Sequence, residues 1–206
     1  NTDKYFVNEI NIFGNSITEE SVIRNYLILG EGDALNNLLY NKSINEVKSL
    51  NIFKKVSSEL VDSNITNKKN INIEVEEKPT GEISAGAGVG TSGGTVAFGV
   101  KENNFLGKGI QLSSNISLTE EAIKGGINYS NPKFRNTDRA LQFGLGSTVT
   151  DKLANFGYKS SYTSAYLGTG FEQYDDLFYS PRFTVSYDKI ETSNTASSSL
   201  KKQKGD

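Results

Sequence analysis

The chain contains no cysteine, histidine, methionine or tryptophan among its 206 residues. Without cysteine it can form no disulfide framework, thiol nucleophile or thiolate metal site. Without histidine as well, Ser-His and Cys-His catalytic pairs and the common zinc sites are impossible. We therefore expect a protein that is not an enzyme and that uses no metal and no cofactor.

Net charge and long apolar runs are also scarce. The net charge is −2, so neither sign dominates and no general attraction to nucleic acid is implied. No apolar run approaches the roughly 20 residues that a transmembrane helix needs, although membrane-crossing strands carry a much weaker signal. The chain begins at Asn1 without methionine or a signal-peptide pattern. This start favours an internal fragment, with a processed mature chain as the alternative.

Glycine is plentiful, and Gly88, Gly90 and Gly93 match the Gly-x-Gly-x-x-Gly fingerprint of dinucleotide-binding proteins. That fingerprint requires a helix directly after the glycines, because the helix N-terminus binds the pyrophosphate. Residues 95–102 instead alternate with period two, which predicts a strand. Two alternating segments joined by Thr-Ser-Gly-Gly predict a β-hairpin, so a soluble nucleotide-dependent enzyme is the disfavoured alternative.

The pattern of the chain changes at residues 78–81, and the part before this point mixes strands and helices. Residues 5–13 read as a strand, followed by a helix whose start fits a capping box of Ser16 and Glu19. A second amphipathic helix is predicted over residues 38–50, and strands over 56–61 and 71–77. The order β-α-α-β-β predicts a small α+β domain over residues 1–79.

Residues 80–206 show only alternation, in about seven segments of roughly nine to twelve residues. One face of each segment is apolar, and the other is rich in glycine, serine, asparagine and glutamine. Strands of this length cross a bilayer when tilted, and tyrosine and phenylalanine recur near their ends. A transmembrane β-barrel is therefore favoured over a soluble β-sandwich, which has a similar pattern.

Several motifs, in the same order along the chain, resemble one known family. The residues that carry the resemblance are Asn-Glu-Ile-Asn-Ile-Phe-Gly-Asn at 8–15, Leu-Asn-Ile-Phe-Lys-Lys-Val at 50–56, Glu-Val-Glu-Glu-Lys-Pro at 74–79, Glu-Asn-Asn-Phe-Leu-Gly-Lys-Gly at 102–109 and Asn-Pro-Lys-Phe at 131–134. Together they resemble the last POTRA domain and the first part of the barrel in the BamA family of outer-membrane protein assembly factors.

This resemblance implies a fold and a function. The fold is a periplasmic α+β POTRA domain (1–79) followed by antiparallel transmembrane strands (80–206), about seven of an expected sixteen, so the chain is expected to be a fragment. The function is insertion of substrate β-barrels into the outer membrane of a Gram-negative bacterium. The implied partners are unfolded outer-membrane proteins, assembly lipoproteins of the complex, and the lipid bilayer with its lipopolysaccharide. The alternative is a related POTRA-barrel protein, either a TamA-like assembly factor or a two-partner secretion translocator.

Two groups of candidate site residues follow from the resemblance. The first is the opening strand of the barrel, whose glycine-rich inward face would make a weak, openable seam; the alternative is that glycine only provides room or curvature. Its residues are Gly81, Ile83, Ala85, Gly86, Gly88 and Gly90. The second is the POTRA domain, where an exposed strand could add an extended peptide and a loop acid could dock a lipoprotein. The alternatives are a purely structural strand and a solvated loop acid. Its residues are Val56, Ser58 and Leu60 in the strand, and Glu31 in the loop. Lysines 201, 202 and 204 either meet lipopolysaccharide phosphates or form a solvated loop.

Overall fold

The computed structural model describes residues 4–90, 93–174 and 177–205, which form two compact units. The first unit extends to Thr80 and includes two later segments, Asn103–Gly109 and Arg135–Thr137. The second unit contains Gly81–Glu102, Ile110–Phe134 and the chain from Asp138 onwards. Within the described ranges, no helix is both long and apolar enough to span a membrane.

The first unit has the predicted order β-α-α-β-β. Its elements are β1 (Phe6–Phe13), α1 (Glu20–Arg24), α2 (Asn37–Ser49), β2 (Phe53–Asp62) and β3 (Lys68–Glu77). The strands form one sheet in the order β1-β3-β2, in which β1 runs parallel to β3 and β2 runs antiparallel to it.

One face of this sheet and the two helices enclose the hydrophobic core. Along the central strand β3 the buried side chains alternate with polar ones, as a half-buried strand requires. Each fully buried valine or isoleucine contributes about 1.5–3 kcal/mol to stability. The core comprises Val7, Ile10, Val22, Ile23, Ile44, Val47, Ile52, Phe53, Ile71, Ile73 and Val75.

The predicted capping box is wrong. Helix α1 begins at Glu20 with Glu19 in the N-cap position, and no side-chain hydrogen bond caps it. The Ser16 hydroxyl instead donates to Glu77 Oε2 at 2.8 Å. The sequence distance of 61 residues between Ser16 and Glu77 hides this partner from a reading of local patterns.

The carboxylate of Glu77 organises the loop between β1 and α1. Besides Ser16, it accepts hydrogen bonds from the backbone N–H of Ile17 at 2.9 Å and of Thr18 at 2.7 Å. Burial alone would raise the pKa of Glu77, but these hydrogen bonds outweigh it, so the pKa lies below its ordinary value of 4.5.

The segment Asn103–Gly109 of the first unit packs against the same loop. Asn104 is buried; its Nδ2 donates to Thr18 Oγ1 at 2.8 Å, and its Oδ1 accepts from the Gly109 N–H at 2.7 Å. Gly107 has a φ of +72°, and a Cβ there would overlap the Ile17 carbonyl. This position therefore requires glycine for both conformation and space. Asn104 and Gly107, both part of the motif at residues 102–109, therefore have a structural role in packing this segment against the loop.

The second unit is one large antiparallel sheet. Its strands are β4 (Gly81–Gly90), β5 (Gly93–Phe105), β6 (Ile110–Thr119), β7 (Ala122–Asn131), β8 (Arg139–Lys152), β9 (Tyr158–Tyr174), β10 (Leu177–Tyr179) and β11 (Arg182–Thr192). Neighbours in sequence pair in order from β4 to β9, and β10 and β11 both pair with β9. Because β10 and β11 follow the same side of β9, they act as one interrupted strand, which gives the predicted seven segments. Two short helices, α3 (Leu153–Phe156) and α4 (Ser198–Lys201), lie outside the sheet.

The pairing register keeps the two predicted faces of the sheet separate. A continuous apolar row crosses five strands: Leu112, Tyr129, Phe143, Leu167 and Phe183. The opposite face carries the neighbouring polar row: Ser113, Asn128, Gly144, Tyr166 and Thr184. We refer to these as the apolar face and the polar face.

The soluble-sandwich alternative is contradicted by this arrangement. A sandwich buries its apolar residues between two packed sheets. In the described part of the second unit there is a single sheet, and its buried apolar side chains are limited to Ile110 and Ala196. Large apolar side chains of the apolar face stay exposed, among them Ile83 at 86% and Val89 at 92%. Such a surface is expected to contact lipid rather than water.

Glu77→Gln tests the loop network of the first unit. Glutamine offers one acceptor oxygen where the carboxylate offers two, so we expect a loss of about 1–3 kcal/mol. The measurement is amide hydrogen exchange of residues 16–18 in the full chain at pH 7. Because the folded-state pKa of Glu77 is lowered, wild-type stability from these bonds is complete above pH 4.5 and is lost as pH falls through the lowered pKa.

Glu74→Gln is the matched control on the same strand. The described residues offer the Glu74 side chain no hydrogen bond or ion pair, so its substitution should leave exchange unchanged. Equal protection in the Glu77→Gln variant and the wild type would contradict the role assigned to this carboxylate.

Candidate functional site

The candidate site residues in the second unit all lie on β4, at one edge of the sheet. Among the described residues, strand β4 pairs with β5 alone, from Gly81 with Glu102 to Gly90 with Gly93. Every residue of β4 is exposed. The backbone groups on its other side are therefore the natural place for a further strand to pair.

The polar face of β4 is nearly devoid of side chains. Ser84, Gly86, Gly88 and Gly90 occupy it in succession. Because glycine contributes no side chain to cross-strand packing and has a flexible backbone, it weakens strand pairing and register.

The structure addresses whether these glycines are needed for space. A Cβ placed on Gly86, Gly88 or Gly90 would meet no atom within 4 Å. By contrast, a Cβ on Gly144 would overlap the ring of Tyr166, which lies across it from the neighbouring strand. Within the described residues, packing therefore requires glycine at residue 144, where β8 is flanked by a strand on each side, whereas the outer side of β4 has no neighbouring strand in this part of the protein.

The nucleotide fingerprint has no helix to complete it. Gly88 and Gly90 end β4, and Gly93 starts β5 with a φ of +88°. Residues 91 and 92 of the predicted Thr-Ser-Gly-Gly turn lie outside the described residues. Among the described residues, no cluster of acidic side chains could hold a metal ion.

In the first unit, β2 is the open edge of the three-stranded sheet. The Ser63 N–H donates to the Lys68 carbonyl at 3.1 Å, so the backbone groups of residue 63 point towards β3. In an antiparallel pair this direction alternates along the strand, so the backbone groups of residues 57, 59 and 61 also point towards β3. Among the described residues, the N–H and C=O groups that point away from β3, at the edge of the sheet, belong to Val56, Ser58 and Leu60.

The side chains of these three residues lie on the core side of the sheet. Val56 and Leu60 pack against the hydrophobic core, and the Ser58 hydroxyl shares a 2.6 Å hydrogen bond with the Tyr40 hydroxyl. An added strand would therefore find a rigid backbone edge, with its specificity set by neighbouring side chains on each face.

Glu31 lies at the opposite edge of the same sheet, so the structure does not bring it together with the β2 residues. Its loop covers the outer side of β1 through backbone bonds of Val7 with Gly32 and Asp33, each 2.9 Å long. Glu31 Oε1 accepts from the Ile10 N–H at 3.1 Å and from Arg24 Nη1 at 3.3 Å. The carboxylate thus anchors the loop, and about half of its surface, 48%, is left for a partner.

Sequence reasoning missed a second kind of contact, on the polar face of the second unit. The Tyr166 hydroxyl donates to Asn128 Oδ1 at 3.1 Å, and the Arg182 guanidinium lies 4.3 Å from the centre of the Tyr166 ring. These contacts join β7, β9 and β11 over Gly144 of β8. The alternation of each strand places all these residues on one face, but only the register brings them together.

Comparison with known proteins gives one family match and several relatives. The POTRA family (surface antigen variable number repeat) matches residues 5–78. The outer membrane protein assembly factor BamA of Neorickettsia risticii is 28% identical over 92% of this chain and 26% of its own length. BamA of Buchnera aphidicola is 30% identical over 68% of this chain and 23% of its own length. The chain thus spans about a quarter of these curated relatives.

Solved structures show the same fold. BamA from Haemophilus ducreyi lacking POTRA domains 1-3 superimposes with a TM-score of 0.78 at 23% identity, over 91% of this chain and 36% of that one. CdiB from Escherichia coli gives a TM-score of 0.65 at 11% identity, over 91% of this chain and 38% of that one. These solved proteins therefore share the fold of this chain, while the curated relatives described above are BamA proteins.

Proposed function

Because this chain belongs to the BamA family, with a POTRA domain followed by strands of the BamA barrel fold, we propose that it assembles β-barrel proteins in the bacterial outer membrane. The POTRA domain would lie in the periplasm and the sheet in the membrane. The observation that carries the proposal is the glycine-rich polar face of β4, the first strand of a sheet with the BamA barrel fold. The role is non-enzymatic.

The mechanism follows from the cost of unpaired backbone groups in lipid. Each unsatisfied N–H or C=O in hydrocarbon costs several kcal/mol, so an incoming substrate strand is strongly driven to pair. Strand β4 offers such a strand a backbone edge in the membrane. The glycines of β4 make pairing at this edge weak, so a paired strand can be exchanged easily. A template needs such weak pairing if it is to release its product.

The POTRA domain would receive the substrate before insertion. Unfolded outer-membrane proteins carry alternating strands, and an extended segment can pair with Val56, Ser58 and Leu60 without disturbing the core. Glu31, on the other edge, is the proposed contact of an assembly lipoprotein. Lipopolysaccharide and phospholipid would surround the apolar face.

A related transporter or TamA-like factor is the second candidate. The CdiB likeness supports it, since the fold accommodates more than one protein of this architecture. A reconstituted assay separates assembly from transport. An assembly factor releases its substrate into the membrane, whereas a transporter passes it through the membrane.

Gly86→Val with Gly88→Val tests whether assembly requires weak strand pairing at β4. Valine fits the open space at both positions and favours strand pairing by up to about 1 kcal/mol per site. We expect the double variant to integrate into membranes but to assemble a substrate barrel about tenfold more slowly in proteoliposomes. The control is Gly146→Val, on the same polar face of β8, where a Cβ meets only ordinary contacts from 3.6 Å. Assembly at the wild-type rate in the double variant would refute the requirement for weak strand pairing at β4.

Ser58→Pro tests the POTRA edge. Proline removes the outward N–H of residue 58 while leaving the bonds between β2 and β3 intact. Affinity for a peptide copied from an outer-membrane β-strand should fall about tenfold or more, measured by fluorescence polarisation with the full protein. Ser58→Ala, which loses the Tyr40 contact but keeps the N–H, should bind normally. If both variants bind as the wild type does, β2 is not the peptide edge.

A further inference from the structure

The apolar face carries a groove beside the interruption between β10 and β11. The groove has a volume of about 350 Å³, and its lining includes Leu141, Leu167, Pro181 and Phe183. Leu167 and Phe183 are directly paired across β9 and β11 and are 55% and 70% exposed. The groove is therefore an open apolar channel on the side of the sheet that faces lipid.

Proline causes the interruption. The Pro181 carbonyl accepts from the Thr169 N–H at 3.1 Å, but proline has no N–H to return to the Thr169 carbonyl. In hydrocarbon, a carbonyl deprived of its donor would cost several kcal/mol, whereas water or a headgroup can satisfy it at the membrane boundary. We therefore place this level of the sheet at the boundary of the bilayer.

A cation lies on the same face, next to the groove. On β8, Arg139 lies two residues before Leu141, which lines the groove, so both side chains are on the apolar face. The two residues are roughly 7 Å apart along the strand. Across β9, Arg139 pairs with Phe171 and Leu141 with Thr169. Its guanidinium lies 5.6 Å from the centre of the Phe171 ring, which stacks on Tyr179 at 6.2 Å. Within the described residues, Arg139 is exposed and forms no ion pair with a carboxylate.

We propose that this groove and Arg139 form a binding site for one glycerophospholipid of the inner leaflet. One acyl chain lies along Leu141, Leu167 and Phe183, and the phosphate accepts hydrogen bonds from the Arg139 guanidinium. The leaflet follows from strand order, because β8 starts at the same end of the sheet as β4, directly after the POTRA domain. Aromatic rings at this level are typical of the membrane boundary. The site rests on the proposed membrane location of the sheet.

Native mass spectrometry of the protein in detergent, titrated with dioleoyl phosphatidylglycerol, tests the site. We expect the wild type to retain one lipid and Arg139→Gln to retain it about tenfold more weakly. Phe183→Ala should weaken retention of this lipid. The same substitution should not change the weaker binding of dihexanoyl phosphatidylglycerol, whose short acyl chains make little contact with the groove. Lys152→Gln is the control at the other end of β8. Lys152 also lies over a phenylalanine ring, Phe156, but it is ion-paired with Glu121 at 3.0 Å.

Three results would overturn the proposal: equal retention by Arg139→Gln and the wild type, equal loss in Lys152→Gln, or displacement of the lipid by inorganic phosphate alone. The last would identify a simple anion site. Carbonate extraction of the same proteins from vesicles separates this proposal from the wider function. If the wild type is extracted, the membrane location fails; if all variants stay integrated and only Arg139→Gln and Phe183→Ala lose lipid, the lipid site stands.

Discussion

Backbone hydrogen bonding at strand edges is the constraint on which both units depend. In the first unit, the loop of Gly32 and Asp33 covers β1, while β2 is left with outward groups at Val56, Ser58 and Leu60. In the described part of the second unit, β4 pairs with β5 and its other side has no partner strand. In water an open edge risks aggregation, and in lipid it carries a cost of several kcal/mol. A protein whose task is to pair with other strands can use that same cost as its driving force.

Glycine has opposite roles in different parts of the large sheet. At Gly144 it admits the ring of Tyr166, whose contacts with Asn128 and Arg182 tie neighbouring strands together. On β4, a Cβ on Gly86 or Gly88 would meet no described atom within 4 Å. Under the proposed function, strand exchange at β4 would leave the cross-linked strands β7, β8 and β9 in place.

The alternation of apolar and polar residues was sufficient to predict the strands, their faces and the β-α-α-β-β domain, because period and burial are local properties. Contacts between distant residues were not predictable in this way. Ser16 was assigned to a capping box because Glu77, its true partner, is 61 residues away. Glu31 was predicted to be a loop acid that docks a lipoprotein, but its bonds to Arg24 and to the backbone of β1 could not be read from the sequence. For β4, the sequence shows glycine but not whether space or weak pairing demands it; that distinction needs the neighbouring atoms.

The central claim is that a substrate strand pairs with β4. Since these 206 residues contain no cysteine, single cysteines can be introduced into the sheet without another cysteine in this part of the protein. Ala85→Cys on β4 and Ala165→Cys on β9 match in residue type and face, but β9 is paired on both sides. The most direct measurement is disulfide formation with a cysteine in the terminal strand of a substrate barrel during assembly. The account predicts cross-linking at Ala85→Cys and none at Ala165→Cys. Absence of cross-linking at β4, or equal cross-linking at β9, would contradict it.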